Sequence, residues 1–241
     1  MTAPVPPCEP LEWDSAFFGR RIARAATAEL TTESWRAVRG WCADHRTECL
    51  YFLAVADDRA TTGLLESVGF HLVDVRVTLD REVTAADGNR PRQGTRAATP
   101  ADVPALRRIA GAAHRNTRFY ADGHFDRERC DELYRIWIEK SCLDQRNHVL
   151  VVERHGEPVG YLTLQVEDGT ATIGLVGVSP PWRQRGVGRE LLSEGLAWLA
   201  TRSVAHVSVV TQGSSVAAQR LYQGLGFRTA NVALWYRRWF S

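Results

Sequence analysis

An Arg- and Gly-rich turn stands between a short apolar run, residues 172–178, and a segment with leucines at helical spacing. The first backbone N–H groups of a helix have no intrahelical partner and carry the positive end of its dipole. Glycine lets such a backbone approach a ligand closely. We therefore predict a site for a pyrophosphate-like anion, held by Arg183, Gln184, Arg185, Gly186, Val187, Gly188 and Arg189.

This turn differs from the two common phosphate-binding loops. It lacks the GK[ST] end of a Walker A motif, and its glycines do not follow the dinucleotide-binding GxGxxG pattern. An ordinary Gly-rich turn between a core strand and a core helix is the simpler alternative. The apolar strand before the turn and the helix after it favour the anion site.

Two segments resemble the GCN5-related N-acetyltransferase (GNAT) family. Residues 183–188 resemble its [RQ]xxGx[GA] signature, and residues 215–227 resemble its NxxAxxxYxxxGF element. The second match keeps Tyr222 and the final Gly-Phe pair, while Ser215 replaces the Asn that usually bonds the cofactor or nearby backbone. The resemblance implies that the turn holds the pyrophosphate of acetyl-CoA, and we expect no metal.

The resemblance also implies roles in acetyl transfer. Tyr222 would protonate the departing CoA thiolate as a general acid. The central strand is expected to splay from its neighbour, so the backbone N–H groups of Leu175, Val176 and Val178 would bind the carbonyl oxygen. Packing at a helix end is the alternative role for Tyr222.

The general base stays open. Many GNAT members place a Glu on the central strand, but the strand TIGLVGV has no carboxylate. Four side chains elsewhere could act through water: Glu153, His155, Glu167 and His124. The amine could instead lose its proton to solvent.

A loop rich in Arg, His and aromatic residues precedes an amphipathic helix. As a group, such side chains suit an anionic acceptor that carries a ring, although a solvated connector is the alternative for each one. The loop residues predicted to bind the acceptor are Arg115, Arg118, Phe119, Tyr120, His124 and Phe125.

The resemblance extends beyond the two motifs. This loop, the opening LEWDSAFFG, the helix LYRIWIE and the C-terminal ending resemble the dTDP-fucosamine acetyltransferase branch of the GNAT family. That branch implies a dTDP-4-amino-sugar as the small-molecule acceptor. A protein or peptide amine, an antibiotic amine, or CoA binding without turnover are the alternatives.

Composition excludes several classes of protein. With 44% apolar and 24% charged residues, the 241-residue chain is typical of globular proteins, and its net charge of +2 gives no general attraction to nucleic acid or membranes. No apolar stretch approaches the ~20 residues of a membrane span, and we see no signal peptide. Five cysteines without a CxxC pair favour reduced thiols in a cytoplasmic protein.

Residues 64–79 and 221–236 look like two copies of one unit. They align without gaps around a shared Gly-Phe pair, and each predicts a helix, a Gly stop and a strand. Leu65 stands opposite Tyr222, and the first half has no RxxGxG turn. We therefore predict that the first half is a degenerate, non-catalytic copy.

The predicted fold is α/β (α+β), with a mixed, mostly antiparallel twisted sheet and helices on both faces. We expect an N-terminal degenerate half-GNAT-like lobe at 1–80, a linker at 81–95 and a GNAT domain at 96–241. The apolar C-terminal segment 234–240 is expected to form an aromatic sheet edge that a second subunit covers, giving a homodimer.

Overall fold

The computed structural model of the chain describes residues 6–88, 94–121 and 123–240. The chain divides into two compact units. The first unit holds the described residues up to Arg76 and those from Val232 onward. The second unit holds the described residues from Val77 to Asn231.

The first unit alternates strands and helices. Its elements in chain order are β1 (Cys8–Pro10), α1 (Glu12–Phe18), β2 (Ile22–Ala25), α2 (Thr32–Asp44), β3 (Cys49–Val55), α3 (Arg59–Ser67) and the start of β4 (His71–Glu82).

The second unit carries the longer helices. After the end of β4 it has α4 (Ala85–Gly88), β5 (Thr95–Ala97), α5 (Val103–Ala113), α6 (Arg127–Leu143), β6 (Asn147–Arg154), β7 (Glu157–Glu167), β8 (Thr170–Val178), α7 (Val187–Ala200), β9 (His206–Gln212), α8 (Val216–Gln223) and the start of β10 (Arg228–Trp239). Short 3₁₀ turns lie at Pro100–Asp102, Arg118–Tyr120 and Pro180–Trp182.

The strands of the first unit pair in a mixed pattern. β1 is antiparallel to β2, β2 is parallel to β3, and β3 is antiparallel to β10. The last pairing matches Cys49–Val55 with Ala233–Trp239. The prediction that residues 234–240 form an open sheet edge is therefore wrong, because their backbone already pairs with β3.

The sheet of the second unit is mostly antiparallel. β5, β6, β7 and β8 pair in that order as antiparallel neighbours, and β8 pairs with β9 in parallel. Contacts of two neighbouring residues show that β7 is covered on both faces. A Cβ on Gly195 of α7 would lie 2.5 Å from Leu162, while the preceding residue of β7, Tyr161, whose side chain lies on the opposite face, contacts His114 after α5. These contacts confirm the predicted sheet with helices on both faces.

Capping residues set where α2 and α5 begin. Thr31 forms a capping box with Ser34 before α2. Before α5, the Thr99 backbone N–H donates to Asp102 Oδ2 at 2.7 Å. Hydrogen bonds from Arg96 and Thr99 hold the pKa of the Asp102 carboxyl at about 2.

The predicted linker, 81–95, is only partly described. Its start belongs to β4, its end to β5, and residues 89–93 lie outside the described residues. The boundaries of the predicted lobe and GNAT domain stay a prediction. In the described parts of the chain, no helix is both long and apolar enough to cross a membrane.

Candidate active site

A cleft of about 660 Å³ opens in the second unit between the end of β8, the start of α7 and the face of α8. Its volume is typical of small-molecule sites. Most residues predicted for the cofactor or for catalysis line it together: Val176, Val178, Arg183, Gln184, Gly186, Gly188, Arg189, Ser215 and Tyr222. Leu175, Arg185 and Val187 are not among the lining residues.

The turn before α7 leaves the helix N-terminus open to this cleft. Gln184 and Gly186 both have positive φ angles, 60° and 85°. Gly186 occupies the N-cap position, and no described side chain caps the first turn of α7. The first N–H groups of α7 therefore keep their capacity to bind an anion.

Arg183 ties two elements together at the cleft. Its Nε donates to the Val178 carbonyl at 3.1 Å, and its Nη2 donates to the Ala112 carbonyl at 3.0 Å. The guanidinium thus holds the end of β8 to the end of α5 while keeping its positive charge in the cleft wall.

The other residues of the turn have separate contacts. The Arg185 guanidinium lies 5.4 Å from the Trp182 ring centroid, and Arg189 Nη2 donates to the Gly224 carbonyl at 3.4 Å. Val187 is buried as the first residue of α7. It anchors the helix and does not reach the cleft surface.

Pairing of β8 with β9 ends halfway along β8. The last recorded pair is Ile173 with Val209, whereas β8 continues to Val178. The register with β7 also shifts between Leu162 and Leu164. The second half of β8 is therefore paired on one side only.

Backbone N–H groups along β8 alternate in direction. The Ser179 N–H donates to β7 at 2.9 Å, and the Leu175 N–H donates to Thr163 Oγ1 at 2.8 Å. The N–H groups of Val176 and Val178 must point the other way, towards the side where pairing with β9 has ended. Leu175, in contrast, uses its N–H within the protein.

Tyr222 reaches the cleft from α8. Its side chain is 5% exposed, and its ring lies 5.7 Å from that of Phe227. No described group hydrogen-bonds its hydroxyl. Burial raises the pKa of Tyr222, so the hydroxyl keeps its proton at neutral and moderately alkaline pH.

The loop predicted to bind the acceptor has a buried part. Phe119 and Phe125 are 1% and 3% exposed, and their ring centroids are 6.1 Å apart. The Arg118 guanidinium lies 4.4 Å from the Phe119 centroid. The two phenyl rings hold the loop against the helical layer instead of facing a ligand.

The rest of that loop is organised by Asp131 of α6. Arg115 Nη2 lies 2.6 Å from Asp131 Oδ2, and the Tyr120 hydroxyl donates to Asp131 Oδ1 at 2.8 Å. His124 is exposed. Asp131 therefore ties Arg115 and Tyr120 to α6, while His124 lies at the surface.

His114 was not singled out from the sequence. Its Nε2 lies 2.9 Å from the Tyr161 hydroxyl, and its ring stacks on Tyr134 at 4.8 Å. Burial and the charge of Arg183 lower the pKa of His114 to about 4. A lone His after a helix gives no sequence signal, since its partners come from β7 and α6. The base candidates Glu153, His155, Glu167 and His124 do not line the cleft, and His114 does not either, although its neighbour Ala113 does.

A second pocket of about 390 Å³ borders the cleft, because Leu175 lines the pocket and the next residue lines the cleft. It combines an indole ring, an ammonium group, amides and hydroxyls: Trp137, Lys140, Ser141, Asn147, Thr163, Gln165, Thr172, Gly174 and Leu175. Such a mixture can bind a polar, ring-bearing molecule. The sequence did not reveal it, because its residues come from α6 and three strands.

The residues that line the cleft all lie in a segment that matches a known domain family. Residues 110–227 match the model of the Acetyltransferase (GNAT) family. The chain carries a GNAT acetyltransferase domain. This confirms the resemblance carried by the turn and by the Tyr222 segment, and this family uses acetyl-CoA. Among the described residues, no group of three or more His, Cys, Asp or Glu side chains could hold a metal ion.

Relatives of the GNAT domain include two acetyltransferases. The dTDP-fucosamine acetyltransferase of Escherichia coli O6:H1 is 29% identical over 95% of this chain and 97% of that protein. The mycothiol acetyltransferase of Clavibacter michiganensis subsp. michiganensis is 31% identical over 57% of this chain and 42% of that protein.

A solved structure shares the GNAT fold. The GCN5-related N-acetyltransferase from Sphaerobacter thermophilus has a TM-score of 0.65 and 19% identity, covering 96% of this chain and 76% of that one. At this identity the likeness concerns the fold alone.

Proposed function

We propose that the chain transfers an acetyl group from acetyl-CoA to a primary amine of an amino sugar nucleotide of the dTDP-4-amino-sugar type. The observation that carries the proposal is the placing of the buried Tyr222 hydroxyl in the same cleft as the uncapped start of α7. Similarity to a dTDP-fucosamine acetyltransferase over nearly the whole chain supports the acceptor class.

The cleft fits a CoA thioester. The α7 N-terminus and the Arg183 and Arg189 charges would hold the pyrophosphate. A Cβ on Gly188 would meet Leu221 at 2.9 Å, so this glycine allows α7 to pack closely against α8 beside the cleft. Ser215 would donate its hydroxyl to the pantetheine arm. Acetyl-CoA supplies the activated acetyl group when bound.

Two backbone donors and one side chain would serve the transfer. The N–H groups of Val176 and Val178 would donate to the carbonyl oxygen as negative charge develops on it. Tyr222 would give its proton to the leaving thiolate. Its raised pKa keeps this acid protonated at the pH where the amine is neutral.

His114 is our candidate to receive the proton of the attacking amine. If its Nε2–H donates to the Tyr161 oxygen, Nδ1 is left as an acceptor. Its lowered pKa keeps the imidazole neutral throughout the physiological range. Tyr161 would then act as a positioning residue that fixes the tautomer.

The pocket beside Leu175 would hold the nucleotide part of the acceptor. Trp137 offers a ring face, and the ammonium group of Lys140 offers a positive charge for a diphosphate. On the side of the loop, the acceptor would contact the polar side chains of Arg115, Arg118, Tyr120 and His124.

The test is thiol release from acetyl-CoA with the full chain and a panel of amines. The panel holds dTDP-4-amino and dTDP-3-amino sugars, free aminosugars, an aminoglycoside, polyamines and short peptides. Turnover confined to nucleotide sugars is the expected result. Turnover on peptides alone, or acetyl-CoA binding with no turnover on any amine, would overturn the proposed acceptor.

Cytoplasmic location and a homodimer stay predictions. The sheet-edge argument for a dimer is lost, because β10 pairs with β3. Sedimentation of the full chain tests the dimer directly.

A further inference from the structure

The first unit contains a basic pocket of about 620 Å³ that the proposed function does not use. Four of its lining residues are arginines, and one is acidic. The arginines come from the residue before β2, from α2, from the turn after α2 and from β10: Arg21, Arg39, Arg46 and Arg238. With Glu48 counted, the side chains lining this basic pocket carry a net charge of +3.

The single acid of the basic pocket is already engaged. Glu48 Oε1 lies 3.1 Å from Arg20 Nη1, and Glu48 Oε2 lies 3.4 Å from Arg21 Nη2. Glu48 also accepts the Arg21 backbone N–H at 2.9 Å. Within the described residues, Arg39, Arg46 and Arg238 therefore have no carboxylate partner.

Arg238 is held among aromatic rings and a like charge. Its guanidinium lies 5.2 Å from the Trp35 ring centroid and 5.1 Å from that of Phe240. Burial and the nearby positive charge of Arg39 lower the pKa of Arg238. A partly buried cation beside a second cation is an arrangement that a bound anion would stabilise.

The equivalent arginine of the second unit shows what a satisfied position looks like. When the ungapped alignment of the two copies, 64–79 with 221–236, is continued by two residues, Arg81 at the end of β4 corresponds to Arg238 at the end of β10. Arg81 Nη2 lies 2.7 Å from Asp87, a 2% exposed carboxylate. One copy thus supplies an internal counter-ion, and the other has positive charge without one.

We infer that the basic pocket of the first unit binds a small molecule carrying a diphosphate, of the nucleoside diphosphate class. Guanidinium groups form two-pronged hydrogen bonds with phosphate oxygens, and three of them face this space without a carboxylate. The volume exceeds the need of one phosphate group and suits a nucleotide-sized ligand. Phe240 supplies a wall for its ring. The inference does not depend on which amine is acetylated.

The test is calorimetric binding of inorganic pyrophosphate and of thymidine diphosphate to the full chain. Saturating acetyl-CoA is present so that the cofactor cleft of the second unit is filled, and any binding at the acceptor pocket proposed beside Leu175 is common to all the proteins compared. The test variant is Arg39→Gln combined with Arg46→Asn, because Asn tolerates the positive φ of 49° at that position. The matched control is Arg36→Gln, an exposed arginine of the same helix α2 that does not line the pocket.

We expect the double variant to bind each diphosphate at least about tenfold more weakly, while the control binds like the unchanged protein. If thymidine diphosphate binds more tightly than pyrophosphate, the aromatic wall at Phe240 contributes to binding. If the two bind equally, the diphosphate group alone is recognised. Equal affinities of unchanged protein, double variant and control would overturn the inference, as would the absence of binding. Unfolding midpoints measured without ligand show that the variants are folded.

Discussion

The two copies of the helix–Gly–Phe–strand unit form the same turn. Gly69 after α3 has a φ of 85°, and Gly226 after α8 has a φ of 88°. The Gly69 N–H donates to the Glu66 carbonyl at 3.1 Å, and the Gly226 N–H donates to the Gln223 carbonyl at 3.0 Å. The backbone of the repeat is therefore preserved in both units.

The next residue repeats the pattern. The Phe70 N–H donates to the Leu65 carbonyl at 2.9 Å, and the Phe227 N–H donates to the Tyr222 carbonyl at 3.1 Å. Both phenylalanines are buried, and each precedes a 12-residue strand. What differs is the side chain five residues before each phenylalanine. It is apolar in the first copy, at Leu65, and carries a hydroxyl in the second copy, at Tyr222.

The comparison teaches that two side-chain positions separate the copies chemically. Leu65 is fully buried in the core of the first unit, whereas Tyr222 lines the cleft. At the strand ends, Arg81 has a buried carboxylate partner and Arg238 does not. Both distinctive side chains belong to the second copy: Tyr222 would supply an acid for catalysis in the second unit, and Arg238 would supply a charge for binding in the first unit.

Replacing Tyr222 by Phe tests the first difference and should have the largest effect. Turnover should fall by ~10²-fold or more, because the thiolate loses its proton donor, while acetyl-CoA affinity stays within about twofold. Steady-state kinetics with separate calorimetry measures both. Tyr236→Phe, which removes a hydroxyl bound to Glu66 in the first unit, is the control and should keep full turnover. Unchanged turnover in Tyr222→Phe would remove this hydroxyl from the mechanism.

Replacing Asp87 by Ala tests the second difference. Arg81 and the Thr84 N–H would lose a buried acceptor, so we expect the free energy of unfolding to fall by about 2 kcal/mol. Arg238→Met keeps the aromatic contacts and removes an uncompensated charge, and should change stability by less than about 1 kcal/mol. Urea unfolding measures both variants. Equal losses would mean that the two arginines have equivalent surroundings.

Local motifs were readable from the sequence because their parts are neighbours in the chain. The strand, turn and helix around Gly186 lie within one short segment, as does the repeat around Gly226. Each needs a positive φ, which glycine signals by its type. These features gave the fold class and the residues that line the cleft.

Features assembled from distant segments were not readable. His114 gains meaning only through Tyr161, 47 residues away. The use of the Leu175 N–H by Thr163 depends on a register shift, which periodicity does not reveal. Phe119 was predicted to bind the acceptor but is buried, because aromatic composition alone cannot distinguish a ligand contact from a core contact.

Replacing each glycine of the repeat by Ala measures how far the two turns are equivalent. A Cβ at Gly69 or Gly226 would meet nothing closer than 3.6 Å, so the positive φ is the sole strain. We expect each variant to lose about 1.5 kcal/mol of stability, measured by urea unfolding. Only Gly226→Ala should also lower turnover, because its turn positions Tyr222. A matching loss of turnover in Gly69→Ala would contradict the division of roles.

His114 has no counterpart in the first copy of the repeat. The pH dependence of the free energy of unfolding measures the contribution of its imidazole ring. Its pKa in the folded state, about 4, lies below the ordinary value of 6.5. The unfolded chain therefore binds a proton first as the pH falls, and stability is lost from about pH 6.5 down to about pH 4. Tyr161, Tyr134 and the positive Arg183 surround the ring and offer no carboxylate to offset this.

Between pH 7 and pH 4, we expect the free energy of unfolding of His114→Gln to fall by about 1 kcal/mol less than that of the unchanged protein. This value allows for the partial exposure of the imidazole ring. Urea unfolding at several pH values measures the difference. His71→Gln, an exposed histidine at the start of β4, is the control and should follow the unchanged protein. Parallel curves of unfolding free energy against pH for all three proteins would show that the His114 imidazole titrates as it does in water. His114 would then no longer be a candidate for a base that stays neutral in the folded protein.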